Sequence, residues 1–259
     1  MNDQTRRAFL YGSTAAGAAL LAEACRSRPV VSPEPVPRAS SSTGTDEHSK
    51  PKDDKGEDEP EVTATEDMIR EHGVLRRALI VYREAAMRLR GNAAAVSPGA
   101  LTATAKLFRS FGEEYHEKKL EEAYVFPAVQ KGGGAAAALT DVLQAQHERG
   151  LQITDYIIAV TTAPKLGARA AELATVLESF ARMYEAHTAR EDTVLFPAWK
   201  KAVSPKQLEE LGEKFEDIEH AQFGEDGFEL AVRQMSGIED ELGLGDVAKF
   251  TAAAPPKGA

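Results

Sequence analysis

From Thr63 to about Leu242 the apolar positions recur at helical spacing, and no stretch alternates with the period of two that a half-buried strand requires. Met68, Leu75 and Leu79 form one stripe, and His72 lies on it. Leu143, His147 and Leu151 form a second. Phe180, Tyr184, His187, Glu191 and Val194 share a third. Punctuation divides the periodic stretch. Thr63 followed by Glu66 reads as a capping box, and Ser97-Pro98 and Ser204-Pro205 each place a cap before a proline at the first helical position. Gly132-Gly133-Gly134 and the segment from Pro164 to Gly167 interrupt it again. These signals predict helices over 64–91, 98–131, 136–162, 167–201 and 205–240. The fold class is all-α: an antiparallel four-helix bundle with an additional C-terminal helix, filling residues 63–242.

The chain repeats itself inside that region. Glu121-Glu122-Ala123-Tyr124-Val125-Phe126-Pro127-Ala128 returns as Glu191-Asp192-Thr193-Val194-Leu195-Phe196-Pro197-Ala198. Each copy follows a helix that carries one histidine, His72 in the first half and His147 in the second. Two similar helical hairpins pack naturally about a pseudo-twofold axis, which brings equivalent side chains to one point in the core.

The flanks have a different character. Thr5-Arg6-Arg7-Ala8-Phe9-Leu10 is followed by an uncharged, mostly small and apolar run from Tyr11 to Ala22, shorter than the roughly 20 residues that span a bilayer. Residues 1–24 therefore read as an export signal peptide. The paired arginines before Phe-Leu resemble the twin-arginine signal of bacteria, which implies export of a folded protein across the inner membrane. Ala22-Glu23-Ala24 fits small-x-small cleavage and leaves Cys25 first in the mature chain, a position that also resembles a lipoprotein acylation site. The expected location is periplasmic, or attached to the cell-envelope membrane through a lipid at Cys25. Residues 25–62 read as a disordered linker: Arg26 to Val62 holds six of the thirteen prolines and no aromatic residue. His48 falls inside it and is set aside. Residues 243–259 read as a disordered tail.

Composition narrows the chemistry. Lys plus Arg is 31 against 41 for Asp plus Glu, a formal charge of −10, and phosphate partners need clustered basic residues. Nucleic acid is excluded on that ground. A single cysteine excludes a disulfide framework and thiolate metal sites, so any metal chemistry must use nitrogen and oxygen donors. No Gly-rich phosphate loop, serine nucleophile arrangement or zinc-protease motif is present. The sequence names no protein partner.

Five of the six histidines, His72, His116, His147, His187 and His220, fall in the predicted helices. Several imidazoles and carboxylates on inward stripes are costly to bury without a compensating cation, and a set of this composition suits iron, manganese or zinc. His72, His116 with Glu121, His147, and His187-x-x-x-Glu191, with Phe-Pro after both carboxylates, resemble the hemerythrin-like cation-binding domain over about residues 64–200. The resemblance implies a bundle around a non-haem di-iron centre holding two iron ions, with Glu121 and Glu191 bridging and His72, His116, His147 and His187 as terminal ligands. Oxygen-carrying members place a second histidine four residues after the one in the third helix, where this chain has Leu151. That departure turns the expectation from reversible oxygen carriage to a metal-dependent protein that binds oxygen, nitric oxide or iron. The alternative is a redox enzyme acting on peroxide or oxygen.

The second helix does not follow the pattern simply. His116 and Glu121 are five apart, about 140° round an ideal α-helix, and aligning the two Phe-Pro pairs puts Glu117 opposite His187. A π-bulge between His116 and Glu121 would restore convergence, with Glu117 an additional ligand. Tyr115 and Tyr184 neighbour the candidate ligands and could donate hydrogen bonds to a bound oxygen species. His220 lies outside the duplicated unit, in reach of a supporting role or of the bundle mouth. A ferritin-like carboxylate site needs Glu-x-x-His on each of two helices. Only Glu113-x-x-His116 fits, since Tyr184 stands in the matching place before His187.

Overall fold

The computed structural model describes residues 62–162 and 166–256. The expected export signal, the linker and Cys25 lie outside the described residues. Among the described residues there are helices and turns but no strand. Helix α1 is Ala64–Asn92, α2 runs over 98–132, α3 is Gly134–Thr161, α4 runs over 170–202, α5 is Pro205–Phe223 and α6 is Gly227–Leu242. The anticipated devices start α1, α2 and α5. Thr63 and Ser204 each close a reciprocal capping box, with Glu66 and with Gln207, and the Ser97 hydroxyl accepts the Ala100 N–H.

Two antiparallel pairs make the bundle. Along the α1–α4 seam Arg76 pairs with Asp192, Arg83 with Glu185 and Arg90 with Glu178, so one numbering rises as the other falls. The Arg83 and Arg90 pairs are nearly half exposed, and such pairs fix register more than they add stability. Along α2–α3, Arg109 meets Asp155, Thr154 donates to Glu113, and Gln130 donates to Thr140. The interior between the pairs holds Tyr82, Phe108, Phe111, Phe180, Tyr184 and Phe196, each at most 1% exposed. No helix among the described residues is long and apolar enough to cross a membrane.

Three features depart from the expected pattern. The single C-terminal helix expected over 205–240 is divided. Gly224 adopts φ 72°, ψ 0°, its N–H closes on the His220 carbonyl, and Asp226 caps a new helix by accepting the Glu229 N–H. Only a residue tolerant of the left-handed region ends a helix this way without strain. Secondly, π geometry is broader than one bulge. It covers Phe108–Val125 in α2 and recurs at Glu191–Leu195 in α4. In both places the π segment stops at a Phe-Pro pair: the Phe126 N–H bonds the Glu121 carbonyl and the Phe196 N–H bonds the Glu191 carbonyl, five residues back. Pro127 and Pro197 have no N–H to give, and a proline ring crowds the carbonyl four residues before it. The wider turn relieves that clash. Thirdly, the π turn after Glu191 rotates the chain, so Val194, expected inside, is 37% exposed while Leu195 is fully buried. Residues 243–256 bury Leu244 and form a short 3₁₀ turn at Val247–Phe250.

Candidate metal centre

Six side chains from four helices gather in the middle of the bundle: His72 from α1, His116 and Glu121 from α2, His147 from α3, and His187 and Glu191 from α4. All are buried. They form two mirrored halves. The His72 and His116 Nε2 atoms are 3.0 Å apart, and those of His147 and His187 are 3.2 Å apart. Glu121 reaches both halves, Oε1 at 3.4 Å from His116 and Oε2 at 3.3 Å from His147. Glu191 does the same from the opposite side, Oε2 at 3.4 Å from His72 and Oε1 at 3.0 Å from His187. In an i→i+5 helix, residues five apart stack much as residues four apart do in an α-helix. That is how His116 joins Glu121 while the α-helical His187 joins Glu191.

The far nitrogens of the imidazoles are held by a second symmetric set. His72 Nδ1 meets Asp192 at 2.7 Å, His147 Nδ1 meets Glu122 at 2.9 Å, His187 Nδ1 meets Gln146 at 3.0 Å, and His116 Nδ1 meets Glu71. Asp192 and Glu122 each follow a shared carboxylate in the chain. Glu71 and Gln146 each precede a histidine of the set. Sequence reasoning passed over all four, although Glu122 and Asp192 stood in the quoted repeat and each of the others adjoins a singled-out histidine. Such partners fix which nitrogen faces inward. Phe196 stacks on His72 and Phe126 on His147, at 5.3 and 5.5 Å between ring centres, so each Phe-Pro phenylalanine braces the histidine of the other hairpin.

The electrostatics follow from the packing. Burial opposes charge on His116, but Glu121 and Glu71 hold it well above the usual imidazole range. His147 is raised likewise, against burial, by Glu117, Glu121 and Glu122. Burial would raise the Glu121 carboxyl, yet His116 and His147 pull it well below the normal value. Burial raises Glu117, with His147 and His187 opposing. Neither oxygen of Glu117, Glu121 or Glu191 has a hydrogen-bond partner of good geometry among the described residues. Buried polar atoms are rarely left so, and the four oxygens of Glu121 and Glu191, each 3.0–3.4 Å from an imidazole nitrogen, mark a place built for cations.

The remaining candidates divide. Tyr184 is buried with its ring centre 5.3 Å from that of His187, and its hydroxyl stands beside Glu117. Tyr115 is buried with its ring against Phe111 and Phe223, at 5.7 and 5.3 Å between centres, and burial, with Glu71, Glu219 and Asp67 adding to it, pushes its pKa up. His220 is exposed and lines a surface cavity, outside the converging set. Glu113 is buried but held by Thr154 at 2.6 Å and Arg109 at 2.9 Å, which removes the ferritin-like alternative. Leu151 is half-buried, and its carbonyl accepts from Arg109.

Residues 63–199 match the family described as Hemerythrin HHE cation binding domain. Uncharacterized proteins of Mycobacterium tuberculosis and Mycobacterium bovis are 44% identical over 197 residues, covering 75% of this chain and 76% of each relative. No solved structure gives a significant match. The twofold array of imidazoles and shared carboxylates falls wholly within the matched segment, and the chain belongs to the hemerythrin HHE cation-binding family.

Proposed function

We propose that the chain is an exported, non-haem di-iron protein that binds oxygen, nitric oxide or iron. In this reading Glu121 and Glu191 bridge two ions. His72 and His116 hold one ion and His147 and His187 the other, with Glu117 an additional ligand beside the second pair. The observation that carries it is the pair of buried carboxylates, each offering one oxygen to each pair of imidazoles. Donor spacings of 3.0–3.4 Å match the polyhedron edges around an ion with bonds of about 2.1 Å, whose octahedral edge is about 3.0 Å and tetrahedral edge about 3.4 Å. Charge points the same way. Glu71, Glu117, Glu121 and Glu191 are four buried carboxyl groups, and two divalent cations would balance them when the imidazoles are neutral. Manganese or zinc would satisfy the same donors. Bound iron would supply redox chemistry and an open position for a small ligand. The protein orients the imidazoles through Asp192, Glu71, Glu122 and Gln146 and keeps the interior dry with Phe126, Phe196 and Tyr184.

A second reading, turnover of peroxide or oxygen, is favoured by the Tyr184 hydroxyl and Glu117 carboxyl standing together beside His187. Metal analysis of purified chain with optical spectra during nitric oxide titration decides between outcomes. Two irons per chain and a saturable spectral change support the binder. Sustained peroxide consumption that survives Glu117→Gln poorly supports the enzyme. Iron content well below two removes the dinuclear assignment. Export is tested in cell fractions: Arg6→Lys with Arg7→Lys should retain the chain inside the cell. Cys25→Ser should move it from membrane to soluble fraction if a lipid anchors it, and leave it unmoved if none does.

A further inference from the structure

The aromatic rings around the centre do not all end in the core. Tyr184, beside His187, leads back through Phe180 to Tyr82, and all three are at most 1% exposed. Phe126, stacked on His147, is followed one turn later by Val129. Phe196, stacked on His72, opens a different course. The ring centre of Trp199 is 6.5 Å from that of Phe196. Phe215 of α5 lies nearly parallel to the indole, 16° between planes and 6.0 Å between centres. Phe215 in turn is 5.6 Å from Tyr124, a half-buried residue of α2 whose ring is covered by the exposed Lys214, Nζ at 4.8 Å. Rings in contact therefore run from His72 to the surface.

Packing alone does not call for this composition. Trp199 is the one tryptophan of the chain, and the first copy of the repeat fills the matching place with the buried Val129. Its indole N–H is buried without an acceptor among the described residues. Buried donors are rarely left so, and a hydrogen bond is not what selects tryptophan here. Phe215 and Lys214 come from α5, beyond the family-matched residues 63–199. Indole and phenol rings give up single electrons far more readily than aliphatic side chains. Electron transfer weakens exponentially with distance, so rings in contact replace one long step by several short ones. Iron supplies one-electron chemistry at the inner end. At the outer end the Lys214 charge favours an anionic donor.

We propose that Tyr124 is a surface oxidation site for small anionic reductants, enediols or phenols, and that Trp199 relays their electrons to the centre for the reduction of peroxide. Phe215 and Phe196 keep the two relays in contact with each other and with His72. Tyr124 passes one electron inward to Trp199 and releases its phenolic proton to water. The tyrosyl radical then takes a hydrogen atom from the reductant, which leaves as its own radical. Two such transfers supply the two electrons that, with two protons from solvent, break the O–O bond of hydrogen peroxide and give two waters. The proposal rests on the metal-centre reading above and on its peroxide branch, and it names the electron donor that branch requires.

Iron-loaded full chain mixed with hydrogen peroxide and frozen at once for electron paramagnetic resonance provides the test, alongside steady-state oxidation of ascorbate, an anionic enediol. Wild-type chain should give a tyrosyl signal that ascorbate quenches. Tyr124→Phe should remove that signal and most of the ascorbate oxidation. Trp199→Phe keeps a ring in the core but no readily oxidised one, and it should lose both as well. Iron content and the nitric oxide spectrum should be unchanged in each variant. Lys214→Gln should raise the KM for ascorbate while leaving kcat nearly unaltered, and added salt should shrink the difference. Tyr156→Phe, a tyrosine off this route, should behave as the wild type. If Trp199→Phe fails to fold, Tyr124→Phe, which removes only a hydroxyl, decides. Ascorbate oxidation and a tyrosyl signal that survive Tyr124→Phe overturn the route while leaving the centre intact. Wild-type chain that holds two irons but consumes no peroxide overturns the peroxide branch and the route together, leaving the binder. Wild-type chain that holds no iron overturns the centre as well.

Discussion

Gly150 shows how tightly single residues shape this centre. A Cβ built on it would stand 2.0 Å from the Tyr184 hydroxyl oxygen and 3.0 Å from the ring carbon behind it. The tyrosine ring packs against Phe108, Phe180 and His187, at 4.8, 4.7 and 5.3 Å between centres, so it cannot swing away. The glycine in α3 is what lets the hydroxyl reach the neighbourhood of Glu117. Gly150→Ala should therefore cost about 1–3 kcal/mol by overpacking, read as a lower denaturant midpoint with an unchanged slope. The same variant should alter the spectrum of the metal-loaded chain, because the displaced ring bears on both His187 and Glu117. A stability equal to the wild type, with an unaltered spectrum, would show that α3 yields there at no cost.

At the scale of the element, the two Phe-Pro pairs hold the π turns in place. Replacing Pro127 with Ala restores an N–H able to bond the Ala123 carbonyl, and the helix can tighten back to α geometry. The metal-free chain should be at least as stable, since a proline inside a helix costs about 3 kcal/mol. Metal affinity should fall, by roughly tenfold, because Glu121 would turn away from His116. Equilibrium metal competition with a chelator reads the second effect, and thermal unfolding of the metal-free chain the first. The repeated Glu…Phe-Pro segment was legible in the sequence because it is a matter of spacing. From it the two hairpins, the four inward histidines and the need for an unwound turn after His116 all followed. What stayed hidden depends on neighbours across the bundle. Glu71, Gln146, Glu122 and Asp192 adjoin ligand candidates in the chain, but which carboxyl reaches which imidazole is fixed by helix rotation. The π turn at Glu191 was missed because His187 and Glu191 already stack at α spacing, so nothing in that pair signalled a wider turn beyond it. The break at Gly224 was passed over because apolar periodicity resumes through Phe228 and Ala231 as though the helix had continued.

For the whole molecule, the interior makes stability depend on pH in opposite senses with and without metal. Without metal, His116 and His147 are raised above their usual value of 6.5. Glu113, Glu219 and Asp67 are raised by burial to about 8, 7 and 6. For Glu113 the burial outweighs Arg109 and the Thr154 hydroxyl, which draw it down. A group whose folded pKa exceeds its unfolded one binds more protons in the folded chain, so its contribution is complete below the unfolded value and lost as pH climbs through the folded value. For the carboxyls that loss starts near 4–4.5 and for the imidazoles near 6.5. Glu121 and Asp192 act oppositely, but their lowered values place that loss below pH 4.5. Between pH 5 and 8 the metal-free chain should thus lose stability, with an unfolding midpoint falling by roughly 5–10 °C. Metal ligation requires the imidazoles without their protons, so affinity rises over the same range and stabilises the fold by linkage. Calorimetry of both forms across this window should show the gap between their midpoints widening as pH rises. Parallel curves would mean that the buried imidazoles are already neutral without a cation. The excess of carboxyl over cationic groups in the core would then have to be met by protonated glutamates instead.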